Sequence, residues 1–470
     1  MIRRRWRALV AAAMATAAAA ADPATAAESL VEDQWYAGAL NGQPSMAMQV
    51  QRWSRSDGTA RSRMAMTLRL RREMGPFSNE MVMEQDTRFE EGPDGRLTAF
   101  ELEERSDGTA TIASGTLAER AGRLHIAGRI LRSGRARPLD LVHPLESWPM
   151  SDSATWRRVA GATAAALRSH GLGLMSGNVL LLTVDVQIVR EADAFAAVAT
   201  PRELPMPMHL RLDAQGRLLG MRMDLMGMMR LEFLPVDRPP VLRSATLAVA
   251  GLVRQHGPAP RGRPLNRFRI ASASAAMLPE TPFQQRQGQV VSVRAEDPGS
   301  VLAADERVRL LEATPQLEID DPTLRAWVAA LDKAGGTELR RAQVLRDAVR
   351  THIVRADLSQ GDATALETYR SRRGDCTEHA NLLGAALRIA GIPARVTYGA
   401  VFAQDLGGWV GHAWVEGHAD GAWHLLDAAY PGIPRSLYLG MGSPSDGDGT
   451  GAAVAAAMIG LAGSTITVEP

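Results

Sequence analysis

The first half of the chain alternates apolar and polar residues with a period of two. Residues 63–70 read RMAMTLRL, and residues 123–130 and 209–212 repeat that alternation. Asp-Gly and related turn residues separate these runs, which is typical of antiparallel strands joined by short hairpins. We therefore predict a curved antiparallel sheet, or half-barrel, over residues 27–235. One helix, from Ala154 to Ser169, is expected to interrupt it.

The pattern changes in the second half. Proline-rich segments and short strand-like runs predict a small β linker module over residues 236–315. From Asp321 onward apolar residues recur with the helical period, and Asp321-Pro322 combines an N-cap with a proline in the first turn. A second helix is predicted from about Thr337 to Ile353. The chain is thus expected to be an α+β protein whose residues 316–470 mix helices and strands.

A third helix is predicted to begin at the single cysteine of the chain. After Asp375-Cys376, apolar residues recur at helical spacing until Gly391 and Pro393 end the pattern. Asp375 is a good N-cap residue, and Glu378 stands where the back-bonding member of a capping box belongs. These signals put Cys376 at the first position of a buried helix.

The position of Cys376 favours a reactive thiol over a structural one. Unpaired N–H groups and the positive dipole end at a helix start favour a thiolate and can stabilise an oxyanion. We therefore expect Cys376 to have a lowered thiol pKa and to act as a nucleophile. The alternative is a buried, inert thiol, which is common for free cysteines.

Two predicted strands supply the other reactive side chains. The strand that contains His412 is followed by a turn-rich segment and by a strand that ends at Asp427. If residues 417–422 form the loop, His412 and Asp427 lie directly opposite each other on one face. A carboxylate beside an imidazole fixes its tautomer, and the imidazole can then serve the nucleophile. Cys376, His412 and Asp427 are therefore the predicted catalytic triad.

Three separated motifs in this region resemble a known family. The segment GDCTEHANLLGAALRIAGIPARVTYG, the run GHAWVE and the pattern W-x-x-L-D resemble the core of the transglutaminase-like superfamily in its bacterial form, over about residues 320–430. The resemblance implies a papain-like fold, with Cys376 as nucleophile, His412 as general base and acid, and Asp427 as the orienting carboxylate. One departure is Ala428, where the family usually has proline.

Charge and the first residues narrow the class of protein. The formal net charge of +1 argues against a nucleic-acid-binding protein, which usually has a strong basic excess. Residues 1–26 combine a basic start, a short apolar run and small residues, which predicts a signal peptide and a periplasmic or secreted protein. That apolar run is too short for a stable membrane span.

The predicted reaction is attack of the thiolate on a carboxamide carbonyl, followed by transfer of the thioester to water or to an amine. We expect a peptidase or amidase that acts on a peptide or protein, including cell-wall peptide, without a metal or other cofactor. The alternatives are a transglutaminase and a non-catalytic module that binds peptide or cell wall. A further alternative is that the half-barrel carries an apolar ligand.

Other residues are secondary candidates. His379, one helical turn after Cys376, is expected at the surface, with a supporting role in the site as the alternative. Tyr369 is a candidate for stabilising an oxyanion. The methionine-rich stretch 221–229 is expected to be core or a ligand groove, with copper capture as the alternative.

Overall fold

The computed structural model describes residues 27–470 except for 75–76, 107–108, 176, 191–193, 203–206, 226–228, 249–252, 272–277, 357–362, 431, 445–453, 455–460 and 462. The predicted signal peptide, residues 1–26, lies outside the described residues. Within the described part, strands predominate and assemble into successive sheets along the chain.

A large sheet occupies the first half of the chain. Its strands are β1 Glu28–Leu40, β2 Gln43–Arg55, β3 Ala60–Met74, β4 Phe77–Glu91, β5 Leu97–Ser106, β6 Thr109–Arg120, β7 Arg123–Arg132, β8 Arg135–Pro144, β9 Ala166–Met175, β10 Asn178–Arg190, β11 Phe195–Pro201, β12 Met208–Leu212, β13 Leu218–Leu225, β14 Met229–Val236 and β15 Ala245–Ala248. The spatial order is β8-β7-β6-β5-β4-β3-β2-β1-β14-β13-β12-β11-β10-β9, and β15 pairs with β3 in parallel. The other pairs are antiparallel, which confirms the predicted antiparallel sheet.

The large sheet curves until strands from its two ends meet. Phe100 of β5 and Ile126 of β7 share a buried apolar cluster with Leu172 of β9 and Val179 of β10. Several hairpins turn on two residues with positive φ, as at Asn41-Gly42, and this turn matches the twist of the strands it joins. Alternating burial and tight turns thus produce the curved sheet.

The helix predicted inside this sheet is only half correct. Helix α1 spans Asp152–Gly161, where the sequence predicts Ala154 to Ser169. The hydroxyl of Ser151 caps it by accepting the N–H of Ala154. From Ala166 to Met175 the chain forms β9 instead, because pairing with β10 outweighs the helix propensity of the alanines.

A second sheet uses strands from two distant parts of the chain. Its strands are β16 Arg254–His256, β17 Leu265–Ala271, β18 Gln284–Gln287, β19 Val290–Arg294 and, near the end of the sequence, β26 Thr465–Val468. The order is β16-β26-β17-β19-β18. The domain boundaries 27–235, 236–315 and 316–470 stay predictions, and this pairing joins the second segment to the third.

Helices and a four-stranded sheet form the region from residue 304 to residue 442. Its elements are α2 Ala304–Arg309, α3 Pro322–Leu331, α4 Glu338–His352, β20 Arg355–Ala356, α5 Ala365–Ser371, β21 Arg373–Gly374, α6 Cys376–Ile389, β22 Ala394–Ala403, β23 Gly408–Ala419, β24 Ala422–Leu426 and β25 Tyr438–Gly442. The predicted cap at Asp321 and the predicted second helix are confirmed as α3 and α4. The sheet order is β24-β23-β22-β25, and Leu383 of α6 is fully buried between Leu345 of α4 and Val415 of β23 in one core.

The large sheet contacts the helices that precede Cys376. Arg132, at the tip of the β7–β8 hairpin, donates to both carboxylate oxygens of Glu367 in α5, at 3.2 and 3.0 Å. Arg135, on the other side of the tip, pairs with Asp321, the N-cap of α3. The hairpin therefore binds the starts of two helices that support the candidate site.

Candidate active site

Cys376 occupies the first position of α6, as predicted. The Asp375 carboxylate caps the helix and accepts hydrogen bonds from the N–H and the hydroxyl of Thr377, both at 2.9 Å. Glu378 completes the capping box by accepting the N–H of Asp375 at 2.8 Å. Gly374 permits this tight start, since a Cβ there would lie 2.3 Å from the Cβ of Glu378. The local sequence therefore determines where the thiol stands.

The predicted lowering of the thiol pKa is wrong. Burial raises the pKa of Cys376 well above its ordinary value, and the negative charge of Asp375 raises it further. The N–H of Ala413 donates to the sulfur and opposes this shift without reversing it. The helix start favours a thiolate, whereas burial and the neighbouring carboxylates favour the neutral thiol.

His412 and Asp427 form a buried pair. Nε2 of His412 lies 2.7 Å from Oδ2 of Asp427, and both side chains are almost fully buried. The N–H groups of Ala429 and Tyr430 bind Oδ1 at 2.8 and 2.9 Å, and the Tyr438 hydroxyl donates to Oδ2 at 2.8 Å. Burial alone raises the pKa of Asp427, but His412 and these donors lower it below its ordinary value. The carboxylate is therefore charged and fixed in position.

The predicted strand register is wrong by two positions, whereas the predicted face is right. The β23–β24 hairpin turns on Asp420-Gly421 alone, both with positive φ, and not on residues 417–422. Along this register His412 and Asp427 lie diagonally rather than opposite each other. A slip of two residues leaves every side chain on its original face, so the contact still forms.

The two ring nitrogens of His412 have different surroundings. An ionised carboxylate can only accept, so Nε2 carries a proton and donates it to Asp427. Nδ1 is buried and has no hydrogen-bond partner among the described residues. The N–H of the next residue, Ala413, binds the sulfur of Cys376. In the neutral ring Nδ1 is therefore a free acceptor, as a general base requires.

Two tyrosines that the sequence analysis missed belong to the site. Tyr438 donates to Asp427. The ring of Tyr430 lies 5.1 Å from that of His412, and burial raises the pKa of Tyr430, with the negative charge of Asp427 adding to the shift. Both residues come after Asp427, in segments whose path no local pattern indicates.

The surroundings of His379 and Tyr369, the two secondary candidates, differ from those that the sequence predicts. His379 is partly buried rather than at the surface, its Nδ1 donates to the carbonyl oxygen of Asp375 at 2.6 Å, and burial lowers its pKa. Tyr369 stacks on His352 with ring centroids 4.6 Å apart and lies against Trp327. This stack gives Tyr369 a packing role, and its oxyanion role stays a prediction.

Among the described residues, no group of three or more His, Cys, Asp and Glu side chains is arranged to hold a metal ion. The methionine-rich stretch 221–229 lies partly outside the described residues, and Met221 packs against the buried cluster of Tyr36 and Phe233. No helix in the described part combines the length and apolarity needed to cross a membrane.

The segment that contains this site matches a known protein family. The family model of the transglutaminase-like superfamily matches residues 325–428, which contain Cys376, His412 and Asp427. The resemblance inferred from the sequence motifs is thereby confirmed for this segment. No curated protein matches the sequence.

Solved structures with partial likeness include two putative proteases. The cysteine protease from Cytophaga hutchinsonii is 17% identical with a TM-score of 0.30, covering 43% of this chain and 80% of its own. The protease from Parabacteroides distasonis is 12% identical with a TM-score of 0.24, covering 84% of this chain and 69% of its own. A β-barrel-like protein from Brucella abortus is 11% identical with a TM-score of 0.33, covering 46% and 99%.

Proposed function

We propose that the transglutaminase-like segment over residues 325–428 makes this chain a cysteine-dependent acyl-transfer enzyme that acts on amide bonds. The main support is the hydrogen bond of 2.7 Å between His412 and Asp427. The Nδ1 atom of the same imidazole is buried without a partner among the described residues, beside the peptide that contacts Cys376. A carboxylate and an imidazole alone could be structural, and the adjacent thiol makes them a catalytic candidate.

The proposed reaction starts from the neutral thiol. As a substrate carbonyl approaches, Nδ1 of His412 takes the proton of Cys376 and the sulfur attacks the carbonyl carbon. N–H groups at the start of α6 stabilise the negative charge that develops on the carbonyl oxygen. His412 then gives its proton to the leaving amine, the C–N bond breaks, and a thioester of Cys376 remains. Asp427 orients the ring and stabilises the imidazolium.

A second acyl transfer releases the product. His412 takes a proton from water or from an amine, that acceptor attacks the thioester, and the sulfur leaves and recovers its proton. We propose water as the acceptor, because hydrolysis needs no second substrate. The protein is then a peptidase or amidase for peptides or proteins, cell-wall peptide included.

Product analysis by mass spectrometry tests this function. A mixture of peptides and cell-wall fragments is incubated with wild type or Cys376→Ala, with and without an added primary amine. We expect hydrolysed fragments that Cys376→Ala does not produce. Adducts between the amine and glutamine side chains would instead identify a transglutaminase. The absence of any Cys376-dependent product would contradict the proposal and favour a non-catalytic binding module.

We also propose that the protein acts outside the cytoplasm, in the periplasm or after secretion. This rests on the signal-peptide pattern of residues 1–26. N-terminal sequencing of protein recovered from cell fractions tests it. A mature chain that starts near residue 27 in the periplasm or medium supports export, and an uncleaved cytoplasmic chain contradicts it.

A further inference from the structure

A cavity of about 520 Å³ lies where the second sheet meets the loop end of the β22–β23 hairpin. Its walls include Pro260 before β17, Asn266 on β17, and Phe402, Gln404 and Gly407 of the hairpin. None of the three proposed catalytic residues lines it. A cavity of this size suits a small ligand or a few residues of a peptide.

Asn266, in the cavity wall, has a buried acceptor without a partner among the described residues. The residue is 2% exposed, and its Nδ2 donates to the carbonyl oxygens of Arg261 and Ser436 at 2.9 and 3.1 Å. Carbonyl oxygens only accept, so these contacts determine which end of the amide is oxygen. Oδ1 has no hydrogen-bond partner among the described residues. Since buried polar atoms are normally paired, Oδ1 calls for an N–H or O–H donor from a ligand.

Positive charge lines the same cavity. Arg261 and Arg263 both contribute to the wall, both are exposed, and neither has an ion-pair partner in the described part of the chain. Gly262 between them packs closely on Pro434, where a Cβ would lie 2.5 Å from Cγ, so this segment has a defined position. A guanidinium group in such a place recognises a carboxylate through paired hydrogen bonds.

The cavity and the candidate active site share one turn. Gln404 lines the cavity, while the charge of its neighbour Asp405 contributes to the raised pKa of Tyr430 in the site. Along β23, His412 follows Gly408, at the loop end, by four residues, which is about 13 Å of extended strand. Side chains alternate along a strand, so His412 points to the face of β23 opposite Trp409, whereas Phe402 of the cavity wall pairs with Trp409 and shares its face.

We propose that this cavity binds the carboxylate-bearing end of a short peptide. The carboxylate pairs with Arg261 and Arg263, a peptide N–H donates to Oδ1 of Asn266, and a small apolar side chain packs on Pro260 and Phe402. This binding does not depend on the proposed function.

Isothermal titration calorimetry on full-length Cys376→Ala tests the binding without turnover. The probes are N-acetyl-trialanine with a free carboxylate and the same peptide as its carboxamide. We expect the acid to bind at least about ten-fold more tightly than the amide, since a charge-assisted pair is lost in the amide. A third probe, methylated on the last peptide nitrogen, is expected to bind more weakly than the acid because Oδ1 of Asn266 loses its donor.

Variants identify the residues that recognise the carboxylate. Arg261→Ala combined with Arg263→Ala is expected to weaken acid binding about ten-fold and to abolish the preference for acid over amide. Arg129→Ala, at an exposed arginine of β7, is the matched control and should leave binding unchanged. Circular dichroism melts verify that each variant is folded.

Three results would overturn the proposal. They are no binding of the acid up to about 10 mM, equal affinities for acid and amide, and an unchanged acid affinity in the double arginine variant. Failure of the proposed function is a separate result, because wild type would then produce no Cys376-dependent product even if Cys376→Ala binds the acid.

Discussion

The candidate site has two sides on which the pKa values of acidic groups shift in opposite directions. The hairpin side consists of His412, Asp427 and Tyr438, and the helix side consists of Cys376 and the carboxyl groups near it. On the hairpin side Asp427 has hydrogen-bond donors on both oxygens and a lowered pKa. On the helix side burial and Asp375 raise the pKa of Cys376.

Glu378 shows the same tendency on the helix side. It is fully buried and accepts the N–H groups of Ala363 and Asp375 at 3.0 and 2.8 Å, yet burial and the charge of Asp375 raise its pKa. On the hairpin side the pKa of Asp427 is lowered, whereas on the helix side the pKa values of Cys376 and Glu378 are raised. This difference is consistent with the proposed reaction, in which Cys376 gives its proton to His412 as a substrate carbonyl approaches.

Of the substitutions considered, removal of the His412 imidazole should lower kcat most. We expect His412→Ala to lower kcat by about a thousand-fold or more, because the thiol then has no base. The matched control is His424→Ala on β24, whose Nε2 donates to the carbonyl oxygen of Ala419 at 3.1 Å. Similar rates for wild type and His412→Ala, or equal losses in both variants, would contradict the role of His412.

Asp427→Asn tests the hairpin side with little change in shape. The Asn amide can present N–H to His412, which favours the tautomer with the proton on Nδ1 and so blocks acceptance from Cys376. We expect kcat to fall by about 10² to 10⁴ while the melting temperature changes far less than activity. A loss below about ten-fold in steady-state assays would show that Asp427 does not govern the tautomer.

Tyr438→Phe should have an intermediate effect. The variant removes the hydroxyl donor from Oδ2 of Asp427, with an expected cost of about 1–2 kcal/mol in stability and about ten-fold in kcat. A lowered pKa stabilises the fold above the ordinary Asp value of about 3.9, and this is lost as pH falls through the lowered pKa. Tyr438→Phe should raise the pKa of Asp427 and so lose that stability at a higher pH. Urea unfolding between pH 3 and 7 measures the free energy of unfolding of both proteins. If it falls over the same acidic pH range in wild type and Tyr438→Phe, the prediction is contradicted.

Asp375→Asn should have the smallest effect of the four substitutions. It should change the reactivity of Cys376 and leave the His412–Asp427 pair unaltered. Asparagine still caps α6 but removes the negative charge beside the thiol, so the pKa of Cys376 should fall. We expect alkylation of the single cysteine at pH 7 to become several-fold faster. Asp420→Asn is the matched control, because Asp420 accepts the N–H groups of Glu338 and Leu339 at the start of α4. A slower or unchanged rate in Asp375→Asn would contradict the account of the helix side.

Features set by neighbouring residues could be predicted from the sequence. The start of α6 at Cys376 follows from Asp375 and Glu378, which lie within one turn of it. The shared face of His412 and Asp427 follows from the period of two in strands, and a register error of two positions does not change it.

Features set by distant residues could not be predicted in this way. The hairpin register depends on which turn forms, and Asp420-Gly421 competes with longer loops through the same residues. The pKa of Cys376 is raised by burial and by nearby carboxylates, and that burial comes from tertiary packing that no local pattern indicates. The strand from Ala166 to Met175 forms because β10 pairs with it, although the alanines that lead into it favour a helix.

The pH dependence of alkylation of Cys376 tests the two-sided site most directly, because the chain has one cysteine and the signal has one source. We predict that the rate with iodoacetamide rises in a single step whose midpoint lies above the ordinary thiol value of about 8.5. A rapid, pH-independent rate between about pH 5 and 7 that disappears in His412→Ala would reveal a preformed thiolate–imidazolium pair and contradict the account.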